Sequence, residues 1–244
     1  MRNIKLTIEY DGTKYLGWQK QKIGKTVQGT IEEAIKELTN EEVYLIGSSR
    51  TDAGVHAKGF IANFKTESKI PDNKFREVIN HKLPDDIAII ESEEVNDDFH
   101  SRYNAIGKTY SYTIINRASK PAIGKNYLYQ VKFDLDIDLM KEACKEFIGT
   151  YDFSAFKSSG SSVKSSIRTI TDLHIVEENN IIKINVTGDG FLYNMVRIIV
   201  GTLIMVGNKK IDPKDIKGII ESKDRKKAGF CVPPQGLTLE KVYY

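Results

Sequence analysis

Residues 47–57 read GSSRTDAGVHA and set a lone carboxylate, Asp52, among small residues, two positions after Arg50. An aspartate can serve as nucleophile, general base, metal ligand or backbone cap. A metal needs neighbouring ligands, and the loop offers none. Acid–base work usually shows a second carboxylate or a histidine, and only His56 is near, beyond a glycine. On an extended segment Arg50 points to the same side as Asp52. There it would keep the carboxylate ionised or hold a phosphate beside it. Ser48, Ser49, Thr51, Ala53 and Gly54 leave room for a bulky substrate to approach the backbone. By pattern alone, turn formation or capping leads, because such loops commonly bond their own backbone.

Two further side chains stand out. Tyr110 lies in the alternating segment KTYSY, where a tyrosine either packs in a core or offers its ring to a base. Tyr112 shares its face. Arg197 interrupts the apolar run MVRII, and a charge there is costly unless paired. The four histidines are dispersed, and Cys144 and Cys231 form no Cys-x-x-Cys pair, so neither a metal centre nor a disulfide framework is expected. There is no dinucleotide fingerprint and no P-loop.

Charge is uneven although the net is only +3. Residues 85–98 carry seven acidic side chains and no basic one; residues 101–133 carry six basic and no acidic one. The second segment also holds Tyr103, Tyr110, Tyr112, Tyr127, Tyr129 and Phe133. Residues 209–227 add eight basic against four acidic side chains. Basic zones laced with aromatics suit a polyanion with stackable bases, although solvated faces and core tyrosines give the same pattern. The longest apolar run, 198–206, is too short to span a bilayer, and the N-terminal residues lack the apolar stretch of a signal peptide. A cytoplasmic protein with no membrane contact is expected.

Periodicity supplies the frame. Strands are predicted at 3–10, 43–47, 58–65 and 86–95. A helix capped by Thr26 buries Val27, Ile31, Ala34, Ile35 and Leu38, and a second opens at Asp72 with Phe75, Val78 and Ile79 inward. The order β-α-β-β-α-β is the ferredoxin-like unit. A similar order follows: a strand at 108–116, a helix at 137–148 burying Leu139, Met140, Ala143, Cys144 and Phe147, a hairpin over 169–188 turning at 178–180, a helix at 193–207, one begun by Asp212-Pro213, and a strand at 236–244. Residues 156–168, with six serines, read as a mobile loop. The expectation is an α+β protein of two ferredoxin-like halves, 1–105 and 106–244, whose sheets join and whose loops converge on a cleft. Close packing is expected, since no low-complexity linker separates the halves.

RTDAGVHA closely resembles the catalytic motif of the tRNA pseudouridine synthase A family. EYDGTKYLGWQ (9–19), TVQGTIEEA (26–34), DDFHSRYNAIGKTYSY (97–112), FLYNMVRIIVGTLIMVG (191–207) and GFCVPPQGLTLEKV (229–242) resemble its other motifs in the same order. The resemblance implies conversion of uridine to pseudouridine at positions 38, 39 and 40 of the tRNA anticodon stem-loop, without a cofactor. It implies a homodimer in which one tRNA contacts both subunits. It also assigns roles: Asp52 the catalytic aspartate, Arg50 the arginine before it, Tyr110 the ring on the target base, and Arg197 the basic partner of the aspartate. One departure is Ser49, where the family usually has glycine. If that backbone needs positive φ, serine costs about 1 kcal/mol; otherwise glycine avoided a clash that serine nearly avoids. The rival reading is a catalytically silent RNA-binding protein or tRNA chaperone on the same scaffold. A glycosidase-like enzyme would want a second carboxylate, which no motif supplies.

Overall fold

The computed structural model describes residues 1–160, 163 and 165–244. Ser161, Ser162 and Lys164, within the serine-rich loop expected at 156–168, lie outside the described residues. The chain forms two compact units, one of Met1–Ile106 with Thr238–Tyr244 and one of Gly107–Leu237.

The first unit contains β1 (Arg2–Tyr10), α1 (Val27–Thr39), β2 (Ile46–Gly47), β3 (His56–Thr66), α2 (Phe75–Asn80) and β4 (Ile87–Val95). Antiparallel pairings of β4 with β1, β1 with β3 and β3 with β2 give the ferredoxin-like order. Alternation buries Ile4, Leu6, Ile8 and Tyr10 of β1. The stripe of α1 buries Val27, Ile31, Ala34 and Ile35, and Thr26 caps it by accepting the Gly29 N–H.

The strand expected at 43–47 is a ladder only over Ile46–Gly47. Side chains of α1 explain why. Glu32 accepts the Leu45 N–H at 3.0 Å, and Gln28 donates to the Leu45 carbonyl at 3.2 Å. These bonds satisfy the Leu45 backbone without a neighbouring strand. Gln28 and Glu32 are buried with their hydrogen bonds made, a polar stripe beside the apolar one.

The second unit contains β5 (Gly107–Asn116), β6 (Tyr129–Val131), α3 (Ile137–Glu146), β7 (Gly149–Asp152), β8 (Ile167–Glu178), β9 (Ile181–Gly188), α4 (Met195–Gly207) and α5 (Asp215–Ser222). Strands β5, β9, β8 and β7 pair antiparallel in that order, with β6 parallel to β5. Asn179 and Asn180 both take positive φ (48° and 67°) in the β8–β9 turn, as two-residue hairpin turns require. Asp212-Pro213 forms a turn ahead of α5 instead of capping it; Asp212 accepts the Lys214 N–H at 2.9 Å, and the helix begins at Asp215. The closing strand β10 (Leu237–Tyr243), expected with the second half, pairs in parallel with β3 through Thr238 and Leu239 and groups with the first unit.

Candidate active site

The Asp52 loop spans residues 48–55, between β2 and β3, and contacts from the 10–18 segment hold it in place. At its entry, the Ser48 N–H donates to the Ile61 carbonyl at 2.8 Å. The Tyr10 hydroxyl pairs with Thr51 Oγ1 at 2.8 Å in a buried contact, and the Trp18 N–H donates to the Thr51 carbonyl at 3.1 Å. The Val55 N–H closes a turn onto the Asp52 carbonyl at 3.2 Å, with Gly54 at φ 78°. At the exit, the Gly12 N–H donates to His56 Nδ1 at 3.1 Å, and the imidazole is buried.

Gly17, at φ 94°, passes so close that a Cβ there would collide with the Thr51 carbonyl. A Cβ on Gly12 would likewise run into the Val55 carbonyl. Trp18 is buried and stacks on Phe60 of β3 with centroids 3.9 Å apart, against Gly47. The motif EYDGTKYLGWQ is therefore a brace that fixes the backbone on either side of Asp52. Trp18 and His56 act in packing and loop structure, as read from the sequence. The missed contributors are Tyr10 and Gly17; the signal for Gly17 was the cluster of glycines in that segment.

Asp52 is partly accessible, and Arg50 is exposed, with no ion pair or hydrogen bond to any described residue. Ser49 is absent from the residues with positive φ, so its replacement of glycine carries no backbone strain. Its Oγ, like that of Ser48, is buried without a hydrogen-bond partner among the described residues.

In the second unit, Tyr110 lies on β5 opposite Val186, 7% exposed, its ring edge-on to Phe191 at 5.4 Å. Tyr112 is fully buried and donates its hydroxyl to the Pro233 carbonyl at 2.7 Å. Burial pushes its phenol far above the ordinary range, and the Arg197 charge pulls the other way. Arg197 is half-buried near the start of α4. Its Nε donates to the Val232 carbonyl and its Nη1 to Asn194 Oδ1, both at 2.7 Å. Asn194 in turn donates to Ser158 Oγ at 3.0 Å, and two bonds from one planar group fix its orientation. The 228–232 segment lies against α4: the Gly229 N–H donates to Thr202 Oγ1 at 2.8 Å, and a Cβ on Gly201 would strike the Phe230 carbonyl. Arg50 and Asp52 belong to the first unit, Tyr110 and Arg197 to the second. Among the described residues, no group of three or more His, Cys, Asp or Glu is placed to hold a metal ion.

The sequence profile of the family described as tRNA pseudouridine synthase matches residues 6–104 and 143–244. The chain belongs to this family. It is an isomerase that converts uridine to pseudouridine in tRNA. Full-length relatives agree. The chain is 64% identical over 244 residues to tRNA pseudouridine synthase A 2 of Clostridium perfringens, covering 100% of both chains. It is 59% identical to tRNA pseudouridine synthase A of Clostridium acetobutylicum and 58% identical to that of Clostridium botulinum, again covering 100% of each. A chain in the solved Cbf5-Nop10-Gar1 complex aligns over 83% of this chain and 54% of its own, at 13% identity and TM-score 0.36, a likeness too slight to bear on the fold. No helix among the described residues is long and apolar enough to cross a membrane.

Proposed function

We propose that the chain modifies uridines 38, 39 and 40 of the tRNA anticodon stem-loop and that Asp52 is the group acting on the target nucleotide. The observation that supports this reading is the braced loop: an accessible carboxylate on backbone held from both sides, with an exposed arginine two residues before it. A fixed nucleophile or base avoids the reorientation that a mobile carboxylate would face.

The isomerisation breaks C1′–N1, turns the uracil and forms C1′–C5. The C5 proton leaves and N1 regains a proton, so product and substrate have the same atoms and oxidation level. Asp52 either adds to the nucleotide as a nucleophile or removes a sugar proton as a base; both routes begin from an ionised carboxylate. A base within a stem-loop must leave its stack to be reached. Arg50, with no ion pair to any described residue, suits the phosphate of the extruded nucleotide. The resemblance assigns the ring of Tyr110, which rests edge-on to Phe191, to the uracil, and Arg197, held by the Val232 carbonyl, to the role of basic partner of the aspartate. The resemblance supports a cytoplasmic homodimer in which each tRNA contacts both subunits.

Incubation with unmodified tRNA transcripts, followed by base-resolved mapping of pseudouridine, tests the assignment. Product confined to positions 38–40 is expected. Product only elsewhere would overturn the site assignment, and firm tRNA binding without product would favour a silent RNA binder.

A further inference from the structure

The turn after β4 carries a cluster with no part in the site above. Tyr103 is 75% exposed, yet its ring lies against His100 with centroids 4.2 Å apart and planes at 31°. The Arg102 guanidinium sits over the same ring, 5.8 Å from its centroid. His100 Nδ1 accepts the N–H groups of both Arg102 and Tyr103 at 3.2 Å, which leaves the neutral ring's proton on Nε2 as a donor. Asn104 closes the turn, accepting the His100 N–H at 2.6 Å through Oδ1.

The mount beneath is buried. Ser101 is 0% exposed; its N–H donates to Asn63 Oδ1 at 2.9 Å and its hydroxyl to the Ile46 carbonyl. Asn63 donates to Asn3 Oδ1 at 2.9 Å, and the Tyr244 hydroxyl donates to the Ser101 carbonyl at 2.6 Å. Ile46 and Asn63 face each other on β2 and β3, the two strands that carry the Asp52 loop. Ile46 lies six residues before Asp52, a chain spanning at most about 20 Å when fully extended. An exposed ring on a rigid mount loses little freedom when a base stacks on it. A cation beside the ring is placed for the phosphate of the same nucleotide.

We propose that Tyr103, backed by His100 and flanked by Arg102, is a stacking shelf for a tRNA nucleotide other than the target uridine. Tyr103 takes the base and Arg102 the adjoining phosphate, which orients the stem-loop on the first unit. The shelf rests on the tRNA reading above.

The test measures tRNA binding and steady-state modification for Tyr103→Ala, Tyr103→Phe and Arg102→Gln. Stacking on one base predicts that Tyr103→Ala weakens binding and raises KM about 5- to 150-fold with kcat little changed. Tyr103→Phe should stay near wild type, because stacking needs the ring and not the hydroxyl. Arg102→Gln should lower the slope of log K against log salt by about one contact. Unchanged binding and KM in Tyr103→Ala, or equal losses in the Phe and Ala variants, would overturn the shelf. Failure of the functional reading looks different: wild-type protein would make no pseudouridine, while dependence of RNA binding on Tyr103 would still report on the shelf.

Discussion

At the scale of single residues, the role proposed for Asp52 makes activity depend on how the backbone around it is held. Gly17 combines a positive φ with an approach to the Thr51 carbonyl that excludes any Cβ. Gly17→Ala is expected to cost about 1–3 kcal/mol of stability. Because a misplacement near 1 Å can cost on the order of a hundredfold in rate, activity should fall further than the thermal midpoint implies. Turnover and melting measured on the same preparation check this. Ser49 gives the opposite case. Its backbone is unstrained, and its hydroxyl is buried without a partner among the described residues. Ser49→Ala should therefore stabilise by about 1 kcal/mol, raising the midpoint by roughly 2–4 °C for a chain of this size. A lower midpoint would show that the hydroxyl has a partner.

At the scale of elements, strands and helices announced themselves through alternation and amphipathic spacing, as β1, β3, α1 and α3 show. What stayed hidden was held by side chains acting on backbone. Gln28 and Glu32 satisfy Leu45 and so shorten β2, and a glutamate on a helix face gives no sign of that from spacing alone. The Asp52 loop was legible as a motif, but its bracing by Tyr10 and Gly17 depends on contacts with Thr51, which lies 41 and 34 residues away in sequence. At the end of β7, the Ser154 hydroxyl, and then Lys223 beyond α5, hold Asp152 below the usual carboxylate range, burial opposing them. A depressed folded pKa means that the stabilisation is present above the unfolded value, about 3.9, and disappears as pH falls through the folded one. Asp152→Asn should lower the midpoint near neutrality and flatten the loss of stability below about pH 4. An acid limb as steep as that of wild type would contradict the assignment.

At the scale of the whole molecule, the basic tract at 209–227 divides into two classes. Lys209 pairs with Asp136 at 3.3 Å, Lys223 pairs with Asp152 at 3.0 Å, and Arg225 donates to the Ala228 and Gly229 carbonyls. Those three serve the fold. Lys210, Lys214, Lys217, Lys226 and Lys227 are exposed and make no ion pair among the described residues. They are the candidates for phosphate contact. Replacing Lys226 and Lys227 with Gln should weaken tRNA binding and lower the salt slope by about two contacts, while Lys209→Gln should affect stability more than the slope. Binding isotherms over a salt series distinguish the two classes.

On the proposed reading, Asp52 carries out chemistry on a nucleotide and is more than a turn former. The direct measurement is a single-turnover assay of Asp52→Asn on unmodified tRNA transcript, with tRNA binding measured in parallel. Binding close to that of wild type and no detectable pseudouridine are expected. Pseudouridine formed at the wild-type rate by Asp52→Asn would contradict this reading.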